Sequence, residues 1–249
     1  MAAIQSSRAA SSDRRLVRLP PPGNCLLDRA PPEVRHHIVA QSQRVTLRRG
    51  LVLFRANESV RFAFFLESGV MSLLARSAGG DVLEMGVVGR DGMAGMALIP
   101  GVNMMPYDGV MQVEGTALRI PADTLKELVQ VSSPFHQLLG RYAYTVFATG
   151  IQTAVCNNFH SVRERCARWL LMLHDLADAD TFALTQSLLA LTLGVRRPSI
   201  TIAANALHRA RLVNYHHGRM TIHNRRGLEA AACECYRLIR EQQLRLLEY

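Results

Sequence analysis

Acidic residues are missing from one long stretch of this sequence. Of the 20 Asp and Glu residues in the chain, none falls in the 48 residues from Thr181 to Leu228. Arg196, Arg197, Arg209, Arg211, Arg219, Arg225 and Arg226 all lie there, with His208, His216, His217 and His223. A surface built from this stretch lets phosphates approach without repulsion. The formal charge of +9 for the whole chain points the same way but is the weaker signal, because many basic proteins are merely soluble.

Long apolar runs are also missing. No stretch of about 18 apolar residues escapes charge, so no membrane-spanning helix is expected. The N-terminus carries Arg8, Arg14, Arg15 and Arg18 and has no apolar segment that could serve as a signal-peptide core, so a cytoplasmic protein without a membrane partner is expected. The five cysteines, Cys25, Cys156, Cys166, Cys233 and Cys235, include no CxxC pair and no zinc-finger spacing. Cys233 and Cys235 fall in a predicted helix, where residues two apart point to different faces, so they read as buried small hydrophobes. Nucleophile elbows, HExxH and GxxxxGK motifs are absent, and paired histidines such as His36-His37 are adjacent, which is poor geometry for a shared metal. No enzyme, no metal and no cofactor is expected.

What is present is globular composition, 49% hydrophobic and 20% charged over 249 residues, enough for two domains. The first residues, rich in Ala, Ser and Arg and ending in Pro20-Pro21-Pro22, read as a mobile tail over 1–23. From Val45 to Ile120, short apolar runs alternate with glycines: Leu51 to Phe54, Phe62 to Leu66, Val70 to Leu74, Val82 to Val88 and Val110 to Val113. That spacing predicts antiparallel strands in a barrel or sandwich over 24–121. Helix follows over 122–158, with a break near Pro134. Phe135, Leu139, Tyr142, Val146, Thr149, Thr153 and Cys156 recur there at heptad spacing, which suits either a dimer seam or a helix packed on its own domain. A second helix, Val162 to Leu176, opens a C-terminal domain over 159–249, with Trp169, Leu170, Leu173 and Leu176 inward and Arg163, Arg165 and Arg168 elsewhere.

The most informative segment runs from Leu184 to Ala203. Thr185 caps a short helix whose Leu189 and Leu193 face inward, Gly194 permits a left-handed turn, and a second helix starts near Arg197 with Pro198 in its first turn. Ile200, Ala203 and Leu207 form the buried stripe, leaving Arg197, Thr201, Asn205 and His208 outward. This is a helix-turn-helix pattern with an arginine pair at the end that enters the major groove. Beyond it, Val213-Asn214-Tyr215 and Met220-Thr221-Ile222 alternate around His217-Gly218. They predict a β-hairpin wing with His217 and Arg219 at its tip, followed by helix from Leu228 to Leu247.

The chain from about Asn24 to Ile222 resembles the cyclic-AMP receptor protein and fumarate–nitrate regulator family, Crp/Fnr. The likeness is strongest at Leu184 to Leu207. It extends to Arg48-Arg49-Gly50-Leu51-Val52-Leu53-Phe54 and Phe65-Leu66-Glu67-Ser68-Gly69-Val70, which look like the opening strands of a cyclic-nucleotide-binding jelly roll. The resemblance implies an α+β protein: a jelly-roll β-barrel sensor, a long dimerisation helix and a C-terminal winged helix-turn-helix. It implies a homodimer that binds double-stranded DNA at a pseudo-palindromic site and contacts RNA polymerase. The family's base-reading positions fall on Arg197, Pro198 and Ile202, and its phosphate contacts on Gln186, Ser187, Arg196 and Ser199, with Thr201 beside them. Met93 stands near the glutamate that cyclic-nucleotide binders use, and no Lys or Arg occurs from Asp91 to Leu118, so cyclic AMP is disfavoured. An iron–sulfur sensor of this family needs N-terminal cysteines, and only Cys25 is there. The effector is unknown; Gly92, Met93, Ala94 and Gly95 are the candidate loop. The alternative is a small-molecule or redox sensor acting mainly through protein contacts.

Overall fold

A computed structural model describes residues 23–247 except Asp178 and His217; the expected N-terminal tail and the wing residue His217 lie outside the described residues. The first helix, α1 (Pro32–Gln41), starts on a proline, whose missing N–H costs nothing in a first turn. Eight strands follow: β1 (Gln43–Leu47), β2 (Val52–Phe54), β3 (Phe62–Leu66), β4 (Val70–Arg76), β5 (Val82–Val88), β6 (Met93–Ala94), β7 (Asp108–Val113) and β8 (Gly115–Pro121). They pair antiparallel in two four-stranded sheets, ordered β1-β8-β3-β6 and β2-β7-β4-β5. All five apolar runs become strands. The sequence pattern missed β1, β6 and β8: β6 is only two residues long, and β1 and β8 carry too few large apolar residues to stand out. Gly69, at φ +80°, turns β3 into β4 so closely against the β7–β8 link that an added Cβ would sit 2.7 Å from the Val113 carbonyl.

Between the sheets lie Phe65, Leu66, Met71, Met93, Met111 and Ile120, joined by Leu125 of α2 (Ala122–Val131) and by Phe135 and Leu139 of α3 (Ser133–Phe159). The break between these helices falls at Ser132, and Pro134 sits in the first turn of α3, as the sequence predicts. The 3-4 spaced series on α3 belongs to the fold of its own chain: Phe135, Leu139, Tyr142, Thr149, Thr153 and Cys156 are all buried. A different stripe, Tyr144, Phe147, Ile151, Val155 and Phe159, is exposed on the same helix.

The C-terminal region contains α4 (Val162–Ala177), β9 (Thr181–Ala183), α5 (Gln186–Thr192), α6 (Arg197–Arg209), β10 (Val213–His216), β11 (Arg219–Ile222), α7 (Arg225–Ala231) and α8 (Cys235–Leu247). Its core gathers Trp169 and Leu170 of α4, Leu189, Ile200, Leu207, Val213, Met220, Leu228 and Ile239, and takes in Val70 from the sandwich. Two expectations are corrected here. Arg165 and Arg168 are 7% and 3% exposed, buried with the apolar face of α4. The predicted final helix is broken at 232–234, so Cys233 lies off the helix that Cys235 begins, and the argument that the two thiols must diverge fails.

A buried polar contact joins the two regions. Glu84 of β5 accepts from the Trp169 indole N–H of α4 at 2.6 Å and from the Ser72 hydroxyl of β4. Burial pushes the Glu84 carboxyl from its ordinary 4.5 up to about 7, against the lowering effect of these donors and of Arg168.

Candidate nucleic-acid interface

The pair α5 and α6 is built as its residues predict. The Thr185 hydroxyl accepts from the Leu188 N–H at 3.2 Å and so caps α5. Gly194 turns the chain at φ +59°, and Leu83 of β5 presses against it, leaving 2.7 Å for an added Cβ. From α4, the buried Arg165 guanidinium donates to the Leu193 carbonyl at the end of α5. That contact fixes the turn from outside the helix-turn-helix. Sequence reasoning missed it, since nothing in the spacing links residues 28 apart.

α6 buries Ile200, Ala203, Ala204 and Leu207 and exposes Arg197, Pro198, Ile202, Asn205 and His208. Arg196, the N-cap residue, is exposed as well, and Ser199 and Thr201 are half-buried at the start of the same helix. The Thr201 hydroxyl lies 3.1 Å from Gln186 Oε1 and 3.2 Å from the Arg197 carbonyl. Accepting through its carbonyl oxygen, Gln186 keeps its amide N–H groups for an outside acceptor, beside exposed Ser187. Ile202 is 69% exposed, a large aliphatic side chain held in solvent on the otherwise polar outer face.

The wing forms as the expected hairpin, with Val213 opposite Ile222 and His216 opposite Arg219. β9 adds a third strand, pairing Phe182 with Met220, which the sequence pattern did not reveal because it is three residues long. Arg219 is exposed at the tip.

The acid-free stretch divides into two groups. Arg225 turns inward, 2.6 Å from Asp175 Oδ1 and 3.0 Å from Glu229 Oε1, and donates to the Tyr236 hydroxyl. Arg196, Arg197, Arg209, Arg211, Arg219 and Arg226 are exposed and make no ion pair among the described residues. Of this set, Arg196 and Arg197 at the start of α6 and Arg219 on the wing can neutralise phosphates and present a guanidinium fork to base edges.

The residues named as a possible effector loop are buried in the first region. Met93 and Ala94 form β6, buried against Phe64 and Phe65 of β3. The Tyr142 hydroxyl of α3 donates to the Met93 carbonyl at 3.0 Å, and its ring fills the space beside Gly92. Gly95 turns at φ +100° against Ala63. These four residues pack within the core of the first region. An open cleft of about 450 Å³ lies elsewhere, lined by Phe54, Arg55, Glu58, Arg61 and Phe62 among others.

Residues 164–231 match the Crp-like helix-turn-helix domain, and residues 44–132 match the cyclic nucleotide-binding domain. The chain belongs to the Crp/Fnr family of transcription regulators. FixK2 from Bradyrhizobium japonicum shares the fold of this Crp/Fnr chain at a TM-score of 0.66 and 13% identity, covering 77% of this chain and 98% of its own. A Crp/Fnr transcriptional regulator from Eubacterium rectale aligns at 0.65 and 18% identity over 83% and 96% of the two chains. The c-di-GMP-responsive global regulator CLP of Xanthomonas campestris aligns at 0.62 and 18% identity over 77% and 98%. No curated protein sequence matches the chain. The cyclic nucleotide-binding fold therefore comes first in the chain and the helix-turn-helix second. No helix among the described residues is long and apolar enough to cross a membrane.

Proposed function

We propose that this chain is a homodimeric, sequence-specific DNA-binding transcription regulator whose α6 enters the major groove of a pseudo-palindromic site. The observation that carries the reading is the set of exposed, unpaired arginines at the start of α6 and on the wing, in a stretch free of carboxylates. Arg197 reads guanine through its fork, and Ile202 packs its side chain on a thymine methyl. Gln186, Ser187, Arg196 and Ser199 hold phosphates on either side, with Arg219 doing so from the wing. Pro198 contributes shape at the helix start and no hydrogen bond.

The homodimer rests on α3. Tyr144, Phe147, Ile151, Val155 and Phe159 are spaced by three and four residues and exposed together, a seam that a second copy can cover. Two copies related by a two-fold axis present two α6 helices to half-sites one helical turn apart. Contact with RNA polymerase follows from the regulator role. Cyclic AMP is not the effector in this reading: Met93 is fully buried where the nucleotide's ribose would need a carboxylate.

Selection of bound duplexes from a random library tests the proposal. The expected result is a two-fold motif whose affinity, followed by anisotropy, is unchanged by cyclic AMP and falls steeply with salt. Failure to enrich any motif, with equal affinity for all duplexes, would refute the sequence-specific reading and favour a sensor acting through protein contacts.

A further inference from the structure

Four potential metal ligands from two distant parts of the sequence meet where α3 ends. Cys156 lies in the last turn of α3, and His160 caps that helix four residues later, on the same face. Cys233 stands in the link between α7 and α8, and Cys235 begins α8. Their ligand atoms, three sulfurs and one imidazole nitrogen, all lie within 4.8 Å of one another. Cys156 Sγ and Cys233 Sγ are 3.4 Å apart, and Cys235 Sγ is 3.5 Å from His160 Nδ1. All three sulfurs are buried.

We propose that Cys156, His160, Cys233 and Cys235 bind a single soft divalent cation of the zinc class in tetrahedral coordination, pinning α8 to the end of α3. The dimensions decide for one ion. Zinc–sulfur and zinc–nitrogen bonds of about 2.3 and 2.0 Å place tetrahedral ligand atoms about 3.5 to 3.8 Å apart. The observed contacts of 3.4 and 3.5 Å already match that scale, and the widest separation closes by about an ångström. An iron–sulfur cluster distributes its thiolates over several iron atoms and holds them farther apart than this set allows. Three sulfurs and one imidazole are also the donor set that structural zinc takes.

The surroundings complete such a site. His160 Nε2 lies 3.1 Å from Glu234 Oε1, so this nitrogen carries the proton and the Nδ1 lone pair faces the thiols. The Gln152 amide donates to Cys235 Sγ at 3.0 Å. A divalent ion with three thiolates and a neutral imidazole carries one net negative charge. Two buried guanidiniums on α4, Arg165 and Arg168, make no ion pair among the described residues, and both act electrostatically on Cys156. Arg168 also faces the Glu84 carboxyl, and the loaded site supplies a nearby anion for both guanidiniums. On loading, the three thiol protons pass to solvent, so the affinity rises with pH. The site stands on its ligands alone and does not depend on the DNA-binding reading.

The test uses the full-length protein purified without added metal. Elemental analysis is expected to find one zinc per chain, and replacement by Co²⁺ to give the intense sulfur-to-cobalt charge-transfer and visible bands of a tetrahedral thiolate site. Chelation should lower the unfolding temperature by several degrees, and Zn²⁺ should restore it, because an ion held only by the folded state stabilises it. Cys233→Ser with Cys235→Ser should lose the ion and the response to Zn²⁺, while Cys25→Ser, in the first core, should keep both. If the double variant fails to fold, the cobalt spectrum of the unaltered protein decides. The proposal is overturned if reduced protein takes up neither ion, if a Cys156–Cys233 disulfide is the resting state, or if the chain holds iron with inorganic sulfide.

Discussion

At the scale of single residues, the proposed complex has Arg197 and Ile202 divide the reading of bases between charge and methyl contact. Arg197→Ala is expected to cost about 1 to 3 kcal/mol at the selected site and to relax base preference at one position of each half-site. Ile202→Ala should relax preference for thymine at another position and leave the salt slope unchanged, since it removes no phosphate contact. Gln186→Ala should weaken specific and random duplexes alike. Competition titrations on a panel of single-base variants separate the three outcomes, and equal losses on every duplex for Arg197→Ala would strip that residue of its role. These side chains were legible in the sequence because helix-turn-helix geometry is local: a cap, a glycine and a 3.6 period place them without reference to the rest of the chain. Arg225 was not, because its partner Asp175 is 50 residues away and turns it from the basic surface into a buried ion pair. Arg165 escaped for the same reason, its acceptor being a carbonyl in another helix.

At the scale of elements, α3 shows why periodicity alone leaves a choice open. It carries one stripe that packs on its own chain and another that stays exposed, both spaced by three and four residues. Both carry Phe and Tyr side chains, and only packing tells them apart. Phe147→Glu or Ile151→Glu is therefore expected to shift the protein from dimer to monomer in sedimentation, whereas a charge at Leu139 would unfold the first core. A monomer from the exposed-face variants must also lose affinity for a two-fold duplex, because each half-site then binds alone. The break at 232–234 is a second case: Gly and Pro are absent from it, so the sequence offered no stop signal. α5 has an explicit start, and Thr185→Ala should cost about 1 kcal/mol in denaturant unfolding by leaving the Leu188 N–H without its acceptor.

At the scale of the whole molecule, Glu84 lies in the joint between the cyclic nucleotide-binding fold and the helix-turn-helix region. The carboxyl is buried between Ser72, Trp169 and the apolar side chains around them, and removal from water raises its pKa from 4.5 to about 7. The folded chain thus holds this proton more tightly than the unfolded chain does. Stability contributed by the group is complete below about pH 4.5, declines as pH rises towards about 7, and changes little above that. The full span amounts to about 3 kcal/mol at 1.36 kcal/mol per unit. Glu84→Gln keeps an acceptor for the Trp169 indole and cannot ionise, so it should flatten this part of the profile and gain stability over the parent at pH 8. Urea unfolding of both proteins between pH 5 and 8 measures the difference, from which the other titrating groups cancel. Parallel profiles would place the carboxylate in water and dissolve the joint as drawn. Diverging profiles would make the contact between sensor and reader weakest where the carboxylate is charged. The seating of the α5–α6 turn on β5, through Leu83 and Gly194, would then respond to pH in duplex binding as well.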